Sequence, residues 1–350
     1  MDNYKFMVRV DCITFNHAPY IKDAMNGFCM QKTAFPFVCV IIDDASNDGE
    51  QEIIRAYMEE NFDFEDKAVF SQKETNDYVQ VFARHKINKK CYFVVYYLKY
   101  NHRSKQKSKK SYFKDWKVAK YIALCEGDDY WIDPCKLQKQ VDFLEDNESY
   151  GMVCSASKIY DQGIGMKQGV FGHEYRGLED LLLGNYIFNA SVLKRQSLVD
   201  RYNQEIEPRP EWKMGDWPRV LHCAMVSKIG YIAEPMSVYR VLPNSASHFE
   251  DFDKFKAFYE SSVAVSKFFI DKYNLDADKL FPILDNWLNR RLLMKACDIG
   301  DVNLVNQYKH SVRGLSAKEK YTAFLSSHYF TKACYKGYIK VRLFISRIFN

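Results

Sequence analysis

The chain has 350 residues, 47% apolar and 27% charged, with 15 glycines, 9 prolines and a formal net charge of +5. At roughly 150 residues per domain this length suggests about two domains, and the composition excludes collagen-like, low-complexity and largely disordered chains. No apolar run approaches the ~18–20 residues of a membrane helix, Cys91–Leu98 being among the longest, and Met1–Lys5 shows no signal-peptide pattern. Ten cysteines without a C-x-x-C pair or metal-ligand spacing read as reduced thiols of a cytosolic protein.

Strand and helix signals alternate over the first 150 residues, the pattern of an α/β sheet. Phe6–Thr14 reads as a strand, followed by a turn at Asn16–Pro19 and a helix with Ile21, Met25, Phe28 and Cys29 on one face. Phe35–Ile42 is a nearly continuous apolar run, as in strands covered on both faces, and ends at Asp43-Asp44-Ala45-Ser46-Asn47-Asp48-Gly49. A helix is expected over Glu50–Glu60 with Ile53, Ile54 and Tyr57 inward, Asp48 standing at capping-box spacing. Val69–Ser71 suggests a short third strand, and Asp77–Lys117 a helix or strand followed by an exposed loop. Tyr121–Cys125 is the next buried strand, ending at Glu126-Gly127-Asp128-Asp129-Tyr130-Trp131. Asp133-Pro134 offers a cap and first-turn pair for a helix burying Leu137, Val141 and Leu144. Short strands at Met152–Ser155, Lys228–Ala233 and Met236–Val241 and a helix near Asp216–Met225 precede a helical region beyond Phe252. There, Leu280, Ile283, Leu284, Trp287, Leu288 and Leu292 keep a 3–4 spacing.

Asp43-Asp44 and Asp128-Asp129 stand at the C-terminal ends of predicted strands, where an open α/β sheet binds ligands. Carboxylates there can hold a divalent cation, ribose hydroxyls or base N–H groups. They can also cap helices, a reading that suits Asp48 and Asp133 better than the two pairs, which lie too far ahead of their helices. Ile13–His17, Ile41–Gly49 and Ala123–Trp131, in this order and at these intervals, resemble a family 2 glycosyltransferase of the GT-A fold over about residues 5–250.

The resemblance implies a Rossmann-like nucleotide-sugar-binding domain with a mixed central sheet over 1–250, its nucleotide half about 1–150 and its acceptor half about 151–250. A helical C-terminal region would follow over 251–350. By the same resemblance Thr14 and Asn16 would sit against the nucleotide, and Asp44 would receive the edge of a uracil or thymine. Asp128 would hold the ribose or share a metal, and Asp129, in this DXD-like motif, would coordinate Mg²⁺ or Mn²⁺ at the diphosphate. Hard cations on oxygen ligands suit a leaving group with concentrated negative charge. Asp216, in Lys213–Pro218, would be the base of an inverting transfer, although relatives often have an acid where Gly215 stands, and Asp216 also suits a helix cap. Val238–His248 resembles a loop closing over the donor, with Arg240 either on phosphate or in a surface salt bridge. Relatives often carry His where Leu242 stands, with His248 as the nearest substitute. Asn189 and Ser191 fall where the acceptor half begins.

The expected partners are a nucleotide-sugar donor, UDP-linked by preference, and a saccharide or lipid-linked acceptor in surface-polysaccharide assembly. A noncatalytic sugar-nucleotide or glycan-binding protein is the rival reading. Between Arg84 and Lys117 there are twelve Lys or Arg against one acid, Asp115. That segment reads as a solvated loop or a site meeting a phosphate-bearing acceptor; no nucleic acid is expected, because no RNA- or DNA-binding motif accompanies it. Thr331–Asn350 carries five bases, no acid and interleaved aromatics, which fits either a docked terminal helix or peripheral contact with the inner membrane face of a cytoplasmic protein.

Overall fold

The computed structural model describes residues 4–114, 116, 119–242, 249 and 251–327. Thr331–Asn350, His248 and the stretch 243–247 of the expected closing loop lie outside the described residues, as do Asp115 and Lys117. The chain divides into two compact units, one of residues 1–181, 185–208 and 222–245, the other of 182–184, 209–221 and 246–350.

The first unit opens as the sequence predicts, with β1 (Phe6–Thr14), α1 (Ile21–Cys29), β2 (Phe37–Asp43) and α2 (Glu50–Asn61). Next come β3 (Phe62–Asp63), β4 (Phe70–Glu74), β5 (Tyr78–His85), β6 (Cys91–Leu98) and the short α3 (Lys110–Lys114). Beyond it lie β7 (Ala119–Leu124), β8 (Tyr130–Trp131), α4 (Lys136–Asp146), β9 (Tyr150–Asp161) and β10 (Gly165–Met166). After α5 (Leu178–Leu183) the chain makes β11 (Leu193–Arg195), α6 (Gln196–Glu205), α7 (Trp217–Val226), whose residues to Leu221 count with the second unit, and β12 (Lys228–Val241).

One mixed sheet collects these strands in the order β3-β5-β6-β2-β1-β7-β11-β9-β12-β8, with β4 on β5 and β10 on β9. Its middle, β6-β2-β1-β7, is parallel. Every residue of β2 is buried. Alternation sends Phe37, Cys39 and Ile41 to the layer holding Ile21, Met25 and Phe28 of α1. Val38, Val40 and Ile42 go to the opposite layer, with Val94, Tyr96 and Tyr112. Two covered faces explain the unbroken apolar run, each such side chain contributing about 1.5–3 kcal/mol on burial. Register then levels the strand ends: Thr14 pairs with Asp43, and Asp43 with Tyr97.

Several local expectations change. The stretch from Asp77 is two antiparallel strands, β5 and β6, in register from Tyr78–Leu98 to Arg84–Tyr92. The segment after β6 is only partly solvated, with Tyr112 buried and the Lys109 side chain 14% exposed. Asp133 accepts from Cys135 N, and Cys135, not Asp133, occupies the cap of α4. The two predicted strands around residue 234 are one, β12, which stays parallel to β9 by shifting register around Pro235. A prolyl nitrogen has no proton for the ladder, so the irregularity falls there.

The second unit contains α8 (Phe252–Lys272), α9 (Ala277–Ile299), α10 (Val302–Tyr308) and α11 (Ala317–Ser326). Side chains of Asp251, Asp276, Asp301 and Ser316 cap their N-termini, and Ser316 with Glu319 forms a full capping box. Leu292, Leu293, Ala296, Val305, Tyr308 and Ala323 make its core. In α9, Leu280, Leu284 and Leu292 are buried as their spacing predicts, whereas Ile283 is 39% exposed.

Candidate active site

Three loops leave the C-terminal ends of adjacent parallel strands β1, β2 and β7, and the backbone itself ties them together. Asp44 N donates to Thr14 O at 3.0 Å, and Gly127 N to Ile13 O at 3.2 Å. Gly127 has to be glycine: a Cβ there would stand 2.1 Å from Thr14 Oγ1 and 2.6 Å from Thr14 Cβ.

Beneath the loops lies Glu50, the first residue of α2 and fully buried. Its carboxylate accepts from the Thr14 hydroxyl, from His17 N at 2.9 Å and from Ser46 Oγ at 2.8 Å. Burial pushes its pKa up, and these hydrogen bonds pull against that. With the Thr14 proton given to Glu50, His17 Nδ1 is the donor in its 3.1 Å contact to Thr14 Oγ1. His17 Nε2 then lies 3.9 Å from Asp128 Oδ2. Asn16 and Ala45 both adopt left-handed backbone, φ 57° and 61°. Asn16 N donates to Ser46 Oγ, and Asn47 N returns a bond to Asn16 Oδ1 at 3.0 Å. Strained φ at a non-glycine residue persists only where the surroundings over-determine it, as this latch does.

Asp43 is fully buried; Oδ1 accepts from Ser46 N at 3.1 Å and Gln51 Nε2 at 2.5 Å, and burial raises its pKa. Asp44, 2% exposed, accepts from His102 N at 2.7 Å and Arg103 N at 3.3 Å, and pairs with Lys109 Nζ at 2.6 Å. His102 Nδ1 donates to Tyr100 O at 3.1 Å, so Nε2 accepts from Tyr112 Oη at 3.0 Å. The Lys-rich segment is therefore folded onto the first acidic pair.

In the second pair the two acids differ. Asp129 is 3% exposed; Oδ1 accepts from Arg240 N at 2.8 Å. Burial, then the charges of Asp128 and Glu126, drive its pKa well up, against the pull of Arg240. The Asp128 side chain is 23% exposed. Glu126 Oε1 accepts from Asn189 Nδ2 at 2.9 Å, which brings the expected acceptor residue to the same loop. Ser191 is buried and its hydroxyl donates to Phe188 O at 2.7 Å. Arg240 is buried, and its guanidinium forms an ion pair with Asp23, whose side chain is 49% exposed.

Contacts thus join Thr14, Asn16, Asp44, Asp128, Asp129, Arg240 and Asn189 in the first unit. Asp216 belongs to the second unit, half-buried just ahead of α7, where its carbonyl accepts from Arg219 N and Val220 N. Glu50, His17 and Asp23 escaped the sequence reading. Glu126 was given no role either, although it stands in the Glu-Gly-Asp-Asp run, while Glu50 looks like any first-turn helix acid.

A cation would find few protein donors. No cluster of three or more His, Cys, Asp or Glu suited to a metal occurs among the described residues. One accessible carboxylate with a second behind it suits a hard divalent ion that takes its remaining oxygens from substrate phosphates, not a protein-only cage.

The mixed sheet with acids at its parallel strand ends defines a GT-A-like protein, and solved structures share that fold. A crystal structure of S. aureus TarS 1-349 in complex with UDP-GlcNAc is 15% identical, with a TM-score of 0.52, over 95% of this chain and 92% of that one. A longer S. aureus TarS structure is 17% identical with the same TM-score of 0.52, over 88% of this chain and 49% of that one. Residues 12–77 match the family model described as Glycosyl transferase family 2. Over that stretch the chain is similar to glycosyl transferase family 2. Uncharacterized proteins of Mycobacterium tuberculosis and Mycobacterium bovis are 31% identical over 238 residues, 65% of this chain and 57% of theirs. The chain thus spans little more than half the length of those relatives. No helix among the described residues is long and apolar enough to cross a membrane.

Proposed function

We propose that the protein is an inverting glycosyltransferase that moves a sugar from a nucleoside-diphosphate donor to a saccharide or lipid-linked saccharide in surface-polysaccharide assembly. The observation carrying this reading is the convergence of three loops at parallel strand ends around Asp128, the accessible member of the second acidic pair. The nucleotide would lie across the loops after β1 and β2, with Asn16 and the Thr14 loop against it. Glu50 holds those loops together. The base edge would meet Asp44, where it competes with Lys109 for the same carboxylate. Asp128, with Asp129 behind it, would hold Mg²⁺ or Mn²⁺. The ion supplies neutralisation of the departing diphosphate. Asp216 would accept the proton of the attacking hydroxyl, and Asn189, tied to Glu126, would face the acceptor.

The TarS structure carries UDP-GlcNAc, which makes UDP-sugars the first donors to test. The test is a panel of UDP-, GDP- and dTDP-sugars, scored for thermal stabilisation with and without Mn²⁺ and for sugar transfer or donor hydrolysis. Metal-dependent stabilisation by one nucleotide, with turnover that Asp216→Asn abolishes, supports the reading. Binding with neither transfer nor hydrolysis would leave a noncatalytic sugar-nucleotide-binding protein.

A further inference from the structure

We infer that Arg240 is a positioning residue, which clamps the Asp128-Asp129 turn from behind, and not a contact to the donor's phosphates. The inference rests on the proposed role of that turn. Arg240 sits near the end of β12, one strand in from β8, with Val238 opposite Tyr130. It is 5% exposed, so its guanidinium is not presented to a ligand. Instead it reaches two points of the turn. Its backbone N–H donates to Asp129 Oδ1 at 2.8 Å, and Nη1 donates to the Asp128 carbonyl at 2.6 Å. One residue therefore fixes both the inner carboxylate and the peptide that leaves the outer one.

The clamp is itself held. Nη2 donates to Asp23 Oδ2 of α1 at 2.7 Å. The guanidinium carbon lies 4.7 Å from the Tyr20 ring centroid, 4.8 Å from Tyr130 and 5.9 Å from Tyr160. A planar cation among aromatic faces, with one carboxylate and one carbonyl at its fork, has few other orientations open to it. Nε, buried and without a partner among the described residues, is the part of the fork the cage leaves unused. Asp23 is on the outer side of this arrangement, its side chain 49% exposed. The chain of contacts runs from solvent through Asp23 and Arg240 to the turn.

The rival roles separate by experiment. Arg240→Met keeps the backbone bond to Asp129 but loses the fork; Arg240→Lys keeps the charge facing Asp23 but cannot span both partners; Asp23→Asn weakens the outer anchor alone. Hydrogen exchange of the unliganded proteins reads the turn without any ligand. Exchange over residues 126–132 should rise about tenfold in Arg240→Met, less in Arg240→Lys and Asp23→Asn, with β2 unchanged. In the second arm, the Mn²⁺ concentration giving half-maximal stabilisation with UDP should rise about tenfold in Arg240→Met, while stabilisation by UDP without Mn²⁺ stays as in the wild type. The kcat should fall with donor KM little altered, and Arg240→Lys should recover part of both.

Wild-type exchange over 126–132 in Arg240→Met overturns the inference. So does equal loss of UDP binding with and without Mn²⁺, which would make Arg240 a phosphate contact. Should Arg240→Met fail to fold, Asp23→Asn carries both arms. A wild-type protein that ignores UDP and Mn²⁺ sinks the transferase reading instead, and the exchange arm still decides whether Arg240 holds the turn.

Discussion

Asp43-Asp44 and Asp128-Asp129 are written in the same two letters, end strands of the same sheet, and are held by different means. The first pair is secured in part by nearby chain, Ser46 and Gln51 on Asp43, and in part by the folded-back segment at His102, Arg103 and Lys109, which closes on Asp44 from about 60 residues on. Both acids are internal. The second is secured from far away, by Arg240 and by Asn189 through Glu126, and it leaves Asp128 partly open. Three of the four carboxylates act inward, as acceptors that shape loops; one faces outward. A pair of acids at a strand end is thus a weaker sign of chemistry than the accessibility of one of them.

Removing the outward acid is the severest test of that contrast. Asp128→Asn should lower sugar transfer by about 10³-fold with little change in melting temperature, since the carboxylate is part-exposed and, among the described residues, engaged by His17 alone. Activity assays beside thermal melts check this. An equal loss from Asp44→Asn at unchanged stability would erase the distinction between the turns.

Asp44→Ala should instead act on stability. It leaves the Lys109 ammonium, 14% exposed, and two backbone N–H groups without their acceptor. Breaking a largely buried pair from one side costs about 3 kcal/mol, which chemical denaturation would read. Limited proteolysis should find new cleavage within 101–109. A variant as stable as the wild type would mean that Lys109 does not hold the segment down.

Gly127→Ala tests the join between the loops after β1 and β7. The added methyl meets Thr14, whose hydroxyl is already engaged by Glu50 and His17, so the loop after β7 must move away from that after β1. Overpacking of this kind costs about 1–3 kcal/mol. Nucleotide binding should weaken more than the melt suggests. Unchanged binding would separate the two loops functionally.

The sheet's middle was legible because its signals are local. An apolar run such as Phe37–Ile42 has one comfortable environment, and Asp or Asn at its end marks where the run must stop. The capped helices beyond Phe252 were legible for the same reason. The hidden features depend on distance. Glu50 reads as an ordinary first-turn acid until the β1 loop closes over it. The Lys-rich segment reads as solvated because nothing in its letters points back 65 residues to Asp44. Arg240 was visible as a cation near the site, but its cage comes from Tyr20, Tyr130 and Tyr160, each on a different segment. Sequence spacing names the acids; only packing tells which of them face outward.

Each turn also has its lysine, and the two are opposites. Lys109 pairs with a carboxylate, whereas Lys136, the first residue of α4, is wholly buried, 4.4 Å from the Trp131 ring centroid, its ammonium donating to Gln140 Oε1 at 2.7 Å. Burial lowers its pKa to about 7, against the weaker opposing pull of Cys125, Asp133 and Cys154. An unfolded lysine titrates near 10.4, so above pH ~7 the unfolded chain binds a proton that the folded chain does not, and stability climbs with pH. Below that pH both states are charged and the lysine's contribution is flat and least favourable. The thiols of Cys12, Cys91 and Cys125, whose pKa values burial raises, work the other way once unfolded thiols ionise above about pH 8.5. Between pH 7 and 8.5 the wild type should therefore gain about 1–2 kcal/mol relative to Lys136→Met, the decline from the thiols being common to both proteins. Melts of both proteins at pH 6.5, 7.5 and 8.5 decide it. Parallel curves would mean that Lys136 stays charged in place, held by Gln140 and the Trp131 ring as firmly as Lys109 is held by Asp44.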